Sequence, residues 1–185
     1  MGRPKALLPW QGVPLVTYQI RTLRRAGLRP ILVVLGHDAN TIGSFVDNEF
    51  GAAALLNPFY RRGKTTSLKT GLRALDSAET GSVLILNVDQ PRTPETLSAI
   101  IDHHSNHSAL ITIPTCNGKR GHPVVISLSL MDDLMAVSEA RHGLKAVMRQ
   151  HASHICLAEV NSDEVLLDLN TPQEYQAAFQ KFGQP

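Results

Sequence analysis

The stretch Ile31-Leu32-Val33-Val34-Leu35 is an unbroken apolar run, and Gly36-His37-Asp38 follows it. Five apolar residues without alternation suit a strand covered on both faces, as in a parallel sheet with helices above and below it. The flanks agree. Val13 to Ala26 places Val16, Ile20 and Leu23 at helical spacing, with Arg21, Arg24 and Arg25 elsewhere and Gly27 at the end. Asp38 to Phe50 reads as a second helix and Ala52 to Asn57 as a short strand.

The same alternation continues. Thr66 to Leu75 is helical in pattern, Val83-Leu84-Ile85-Leu86 is another buried strand running towards Asp89, and Pro94 to His107 is a helix with proline in its first turn. Ala109 to Pro114 is a strand, Asn117-Gly118 a tight turn, and Val124-Val125-Ile126 a returning strand of antiparallel sense. Leu130 to Val137 and Leu144 to His151 read as short helices, Ile155 to Val160 as a strand, and Pro172 to Phe182 as a closing helix. Strands separated by helices of ordinary length predict an α/β fold, three-layered and Rossmann-like, with a mostly parallel sheet. Residues 1–185 are expected to form one domain.

Composition excludes several classes. A net charge of +2 with no long basic run gives no electrostatic footprint for nucleic acid. No apolar stretch reaches the ~20 residues of a membrane span. Cys116 and Cys156 lack metal-like spacing and read as thiols of a reducing, cytoplasmic environment.

Sheets of this kind bind ligands beyond the carboxyl ends of their strands. That selects Gly36 to Asp38, Asn57 to Ser67, Asp89 to Pro91 and Thr115 to Pro123. Asp89 at a sheet mouth can hold Mg²⁺, a hard cation that takes oxygen ligands, or can cap the helix that starts near Pro94. Asp168 and Asn170 are two apart, so an extended backbone aims both side chains one way, towards one cation. Alternatively, Asn170 or Thr171 is the N-cap of a helix that begins at Pro172. Gly63-Lys64-Thr65 is not a Walker A loop, because the first glycine would fall at Pro58. Ser67 and backbone amides near that helix start can hold nucleotide polar groups, or Thr65 or Thr66 is simply a cap. Lys5, in the turn Gly2-Arg3-Pro4-Lys5, is a phosphate handle or a solvated lysine, and Arg3 shares the choice. Arg120-Gly121-His122-Pro123 offers groups for phosphate or a fused heterocycle, or a structural hydrogen bond. His103 and His107 have metal-binding i,i+4 spacing, but no local carboxylate completes a set, and a solvated helix end is expected. No nucleophile with its base can be assembled. The candidate groups bind phosphate and metal, which favours chemistry driven by positioning and charge neutralisation.

Gly2 to Pro9, with Trp10, Gly12 and Pro14-Leu15, resembles the second half of the signature of the molybdenum cofactor nucleotidyltransferases, Leu-Ala-Ala-Gly-x-Ser-x-Arg-Met-Gly-x-x-Lys. Asn57-Pro58 through Gly63 to Ser67-Leu68 and Gly71-Leu72, Val88-Asp89-Gln90-Pro91, Gly118-x-Arg120-Gly121-His122-Pro123, and Asp168-x-Asn170-Thr171-Pro172 resemble the family's later motifs, in order. The loop at Arg120 is similar to that of the cytidylyltransferase branch. The resemblance implies a cytoplasmic Mg²⁺-dependent enzyme that transfers CMP from CTP to the phosphate of a molybdopterin-type acceptor and releases pyrophosphate. GTP-using guanylyl transfer, transfer to a sugar or alcohol phosphate, and an inactive binding relative are the alternatives. It implies nucleotide contacts at Gly2, Arg3, Lys5, Asn57, Ser67 and Asp89, and catalysis by Lys5 and Asp89. It also implies metal ligation by Asp89, Asp168 and Asn170, and pterin-side contacts at Arg120 and His122. A molybdoenzyme or its chaperone would receive the product; no nucleic acid or membrane is expected. Lys64 departs from the family, where methionine is frequent. The first half of the signature has no counterpart, so the first central strand and its glycine loop are expected to be absent and the chain to be a late-started or truncated form.

Overall fold

The computed structural model describes residues 4–75 and 80–185. The chain opens with a turn at Lys5–Leu7 and a hairpin of β1 (Pro9–Trp10) and β2 (Val13–Pro14). Gln11 and Gly12 both have positive φ, 46° and 78°, which is the two-residue turn that matches strand twist and that glycine makes easy. This corrects the expected helix start. Val13 and Pro14 are taken by the hairpin, and α1 runs Leu15–Arg25. Then come β3 (Ile31–Leu35), α2 (Ala39–Asp47), β4 (Ala52–Leu56), α3 (Lys64–Arg73), β5 (Ser82–Ile85) and α4 (Pro94–Asn106). The remainder is β6 (Ile111–Cys116), β7 (Lys119–Arg120), β8 (Val124–Ser127), α5 (Met131–Ala136), α6 (Leu144–Gln150), β9 (Ile155–Glu159) and α7 (Pro172–Ala178).

The sheet is mixed and broken in two. β3 pairs in parallel with β4, Leu35 opposite Leu56. Separately, β5 pairs antiparallel with β8, β8 antiparallel with β6, and β6 parallel with β9. Thus β5, β6 and β9 run one way and β8 returns between them. Among the described residues no strand pairs with the second edge of β3 or of β5. Val88, just past β5, nevertheless packs in one apolar cluster with Ile31, Val33 and Leu35, so the two parts share a core without sharing a ladder.

Side-chain alternation makes the layers. Val124 and Ile126 of β8 face a cluster with Leu72 of α3, Leu134 of α5 and Val147 of α6, while Val125 faces Ile100 of α4 and Val165. Helices therefore cover both faces. α1 and α2 cover β3 and β4 through Val16, Ile20, Ile42 and Val46.

His104 ties α4 to two strands. Its Nε2 lies 2.9 Å from Ser82 Oγ on β5 and its Nδ1 2.9 Å from Thr112 Oγ1 on β6. Burial, with His103 adding to it, holds His104 below the usual histidine range. The folded chain therefore resists a proton that the unfolded chain accepts. This contribution is full above the ordinary pKa of about 6.5 and is lost as pH falls below it. Urea unfolding is expected to give a lower midpoint at acid pH than at neutral pH, and a smaller difference in His104→Gln. That variant should itself cost ~1–3 kcal/mol at neutral pH by disrupting the pairing of the buried Thr112 hydroxyl and the half-buried Ser82 hydroxyl. An unchanged pH difference in the variant would remove His104 from the effect.

Candidate active site

The turn after β5 carries the first acid. Asn87 to Gln90 is held from three sides. Gln19 of α1 donates to the carbonyls of Asn87 and Val88 at 3.0 Å, Gln90 Oε1 accepts from Asn87 Nδ2 at 3.2 Å, and the Leu169 amide donates to the Asp89 carbonyl at 2.9 Å. Asp89 does not cap α4. Thr93 does, accepting from the Thr96 amide. The Asp89 carboxylate is thus left to face the sheet mouth.

Two distant segments meet it there. Lys5 Nζ donates to Asp89 Oδ2 at 2.8 Å and to Asn170 Oδ1 at 2.9 Å. Asn170 is free for this because Thr171 caps α7, in a reciprocal box with Glu174. The Leu169 bond to Asp89 also brings up Asp168, whose carboxylate acts with that of Asp89 on both Arg92 and His122. The donor set is therefore carboxylate and amide oxygen, and it already converges on a cation, the Lys5 ammonium. These residues fit a hard divalent ion. A cavity of about 560 Å³ lined by Lys5, Ala6, His37, Asp38, Ile42 and Val88 opens beside them. Gly2 and Arg3 lie outside the described residues.

The loop after β4 has a different organisation from the one expected. Asn57 is fully buried. Its Nδ2 donates to Thr66 Oγ1 and Ser67 Oγ, each at 2.9 Å, and its Oδ1 accepts from the Phe59 amide at 2.9 Å. These side-chain bonds of Asn57 all go to its own loop, so it positions Ser67. Neither Thr65 nor Thr66 is the N-cap of α3. Gly63 is, at φ 113°, with Glu139 packed against it where a side chain would stand. The Thr65 amide donates to Glu139 Oε1 at 2.7 Å, so a carboxylate from a later turn already sits at this helix start.

Arg92 is the residue the sequence did not single out. It is fully buried, and its guanidinium donates to the carbonyls of His122, Pro91, Val165 and Leu167 at 2.8, 2.7, 3.0 and 3.1 Å. It ties the Asp89 turn to the His122 loop and to the segment before Asp168. Burial lowers it to about 10, opposed by Glu164 first, so it stays charged at neutral pH. Glu164 is 2% exposed and accepts from the Thr93 amide at 3.1 Å and hydroxyl at 2.7 Å. His122 is pushed down by burial and then by Arg92, with Lys64 also acting on it, and is neutral at pH 7. Asp89, Asp168, Lys64 and His122 thus share one electrostatic neighbourhood. Arg120 stays on β7, exposed, with no side-chain bond to a described residue.

Residues 1–155 match the family described as the MobA-like NTP transferase domain. The chain belongs to that family. It is a nucleotidyltransferase. The molybdenum cofactor cytidylyltransferase of Escherichia coli is 25% identical over 183 residues, which is 98% of this chain and 90% of that protein. A manganese complex of the Mycobacterium tuberculosis protein Rv0371c superposes with a TM-score of 0.76 at 25% identity, covering 97% of this chain and 93% of that one. A nucleotidyl transferase from Methanothermobacter shares the fold of this chain at a TM-score of 0.80 and 21% identity, over 96% of this chain and 84% of its own. No helix among the described residues is long and apolar enough to cross a membrane.

Proposed function

We propose that this MobA-like transferase moves CMP from CTP to the terminal phosphate of a molybdopterin-type acceptor, with Mg²⁺ as its ion. The observation that carries this reading is the meeting of Lys5, Asp89 and Asn170 at one point. The likeness to a molybdenum cofactor cytidylyltransferase supports the choice of acceptor and base in this reading. An acceptor phosphate oxygen forms a bond to the α-phosphorus of CTP, and the bond to the β-phosphate oxygen breaks to release pyrophosphate. Asp89, Asp168 and Asn170 would hold Mg²⁺, which supplies charge neutralisation on the phosphates. A triphosphate gives Lys5 new oxygen partners and releases the oxygens of Asp89 and Asn170. The braced 87–90 turn keeps Asp89 in place, so little reorganisation accompanies transfer. Ser67, fixed by Asn57, faces the nucleotide side. His122, neutral and held by the Arg92 strut, and Arg120, free on β7, take the pterin side. Gly2 and Arg3 are read as further nucleotide contacts from the sequence motif. The protein works in the cytoplasm, where a molybdoenzyme or its chaperone takes the product.

The test is pyrophosphate release with Mg²⁺, molybdopterin, and CTP or GTP, with a sugar 1-phosphate as rival acceptor. CMP incorporation into the pterin with CTP favoured by about tenfold or more, or ~1.4 kcal/mol, is expected. Preference for GTP overturns the base assignment. Transfer to the sugar phosphate alone overturns the acceptor.

A further inference from the structure

We infer that His103, His107 and Cys156 form a three-ligand site for Zn²⁺, separate from the phosphate-transfer site. His103 lies in the last turn of α4, His107 is the residue that closes it, and Cys156 is the second residue of β9, 53 positions beyond His103. This is why sequence spacing missed the set. The third ligand comes from a neighbouring strand, not from the helix. One ligand atom from each of the three residues lies within 4.8 Å of the others. His103 Nε2 is 3.2 Å from Cys156 Sγ, and the two imidazoles stack with centroids 4.1 Å apart and planes 22° off parallel.

The tautomer suits metal binding. His107 Nδ1 lies 2.8 Å from the His103 carbonyl, which can only accept, so the proton is on Nδ1 and Nε2 carries a bare lone pair. Such a bond from the far ring nitrogen to a backbone carbonyl is what orients a metal-binding histidine. Cys156 has no disulfide partner. His107 is exposed and the other two are half-buried, so an ion has access. Tetrahedral Zn²⁺ with bonds of about 2.0–2.1 Å to nitrogen and about 2.3 Å to sulfur needs ligand atoms nearer 3.5 Å apart, so binding must turn the two stacked rings until their in-plane lone pairs meet at one point.

Chemistry and place distinguish the two sites. Two imidazoles and a thiolate select a borderline ion, and nothing here offers the oxygen shell that Mg²⁺ requires. The N-cap of α4 at Thr93 lies next to the Asp89 turn, whereas His103 is ten residues further along a helix, about 15 Å away at 1.5 Å per residue. Cys156 lies at the amino end of β9, also away from the strand ends that form the active site. Three protein ligands leave a fourth position for water or an external donor. Bound Zn²⁺ would clamp the end of α4 to β9.

The test titrates the purified, reduced full chain with Zn²⁺, and with Co²⁺ as a spectroscopic stand-in, with Mg²⁺ present in excess. The expected result is one ion per chain, a sulfur-to-cobalt charge-transfer band with tetrahedral visible absorption, and a raised melting temperature. Cys156→Ser should abolish the charge-transfer band, and His103→Gln should weaken Zn²⁺ binding by more than ~100-fold, beyond the effect of losing an outer-shell partner. Circular dichroism of the two variants checks that they fold, and Asp89→Asn should bind Zn²⁺ as the parent does. Failure to bind one Zn²⁺ per chain, or a Co²⁺ spectrum unchanged in Cys156→Ser, overturns the site. Loss of the spectrum in Asp89→Asn but not in Cys156→Ser would place the ion at the transfer site instead and equally overturn it.

Discussion

Asp89→Asn should lower nucleotidyl transfer by at least ~10³-fold, about 4 kcal/mol of transition-state stabilisation, while leaving the fold intact. The substitution keeps shape and removes charge. Asp89 is the central acceptor of the site, taking Lys5 at 2.8 Å on a turn braced by Gln19, Gln90 and Leu169. None of those braces uses the Asp89 side chain, and asparagine keeps them. Stability should therefore change little. The Lys5–Asp89 pair is partly solvated, with side chains 30% and 18% exposed, and such pairs contribute less than ~1 kcal/mol. The signature is a collapse of kcat with a melting temperature within about two degrees of the parent. Retained turnover would remove Asp89 from the chemistry. Equal loss of turnover and of melting temperature would make it a folding residue.

Arg92→Met should show the opposite pattern, a loss of ~3–5 kcal/mol in unfolding free energy from a domain that has ~5–15 to lose. Four carbonyls lose a donor at once, from His122, Pro91, Val165 and Leu167, and Val165 keeps only the His122 amide at 2.9 Å. Glu164, 2% exposed, loses the cation that compensates it. Methionine fills much of the volume, so the cost is polar and not a cavity. A melting temperature lowered by about 10 °C or more would match a chain of this size. Arg92→Lys should recover only part of it, because an ammonium cannot reach four carbonyls spread around a planar fork. A double variant with Glu164→Gln should lose less than the sum, since the stranded charge is then gone. Urea unfolding of the parent, Arg92→Met, Arg92→Lys, Glu164→Gln and the double variant measures all of this, and a loss below ~1 kcal/mol in Arg92→Met would show that the strut is dispensable.

The two predictions divide along what was legible in the residues. Asp89 could be found because it ends an apolar run, and its rival reading as a helix cap was a local question that Thr93 decided. The same holds for Asp168 and Asn170, where Thr171 takes the cap and leaves the asparagine side chain free. Lys5 was ambiguous in isolation, and only the approach of residues 84 and 165 positions away gives it partners. Asn57 was legible as part of the loop after β4, but its burial and its bracing of Ser67 were not, because both depend on how that loop folds back. Arg92 sat unremarked between Pro91 and Thr93, since an arginine between two turn residues usually reaches solvent.

From the sequence alone came the α/β alternation, the helix and strand positions to within a few residues, the turn chemistry, and the order of the motifs. These depend on interactions within one turn of helix or between alternate residues of a strand, and local spacing records them. The tertiary structure alone decided that β8 lies between β5 and β6 and that Arg92 is buried. It also decided that Glu139 covers the start of α3 and that Cys156 joins His103 and His107. Each of those is a pairing between side chains or strands far apart in the chain. The cost of burying a charge or leaving a donor unpaired selects such partners only once the chain has closed around them.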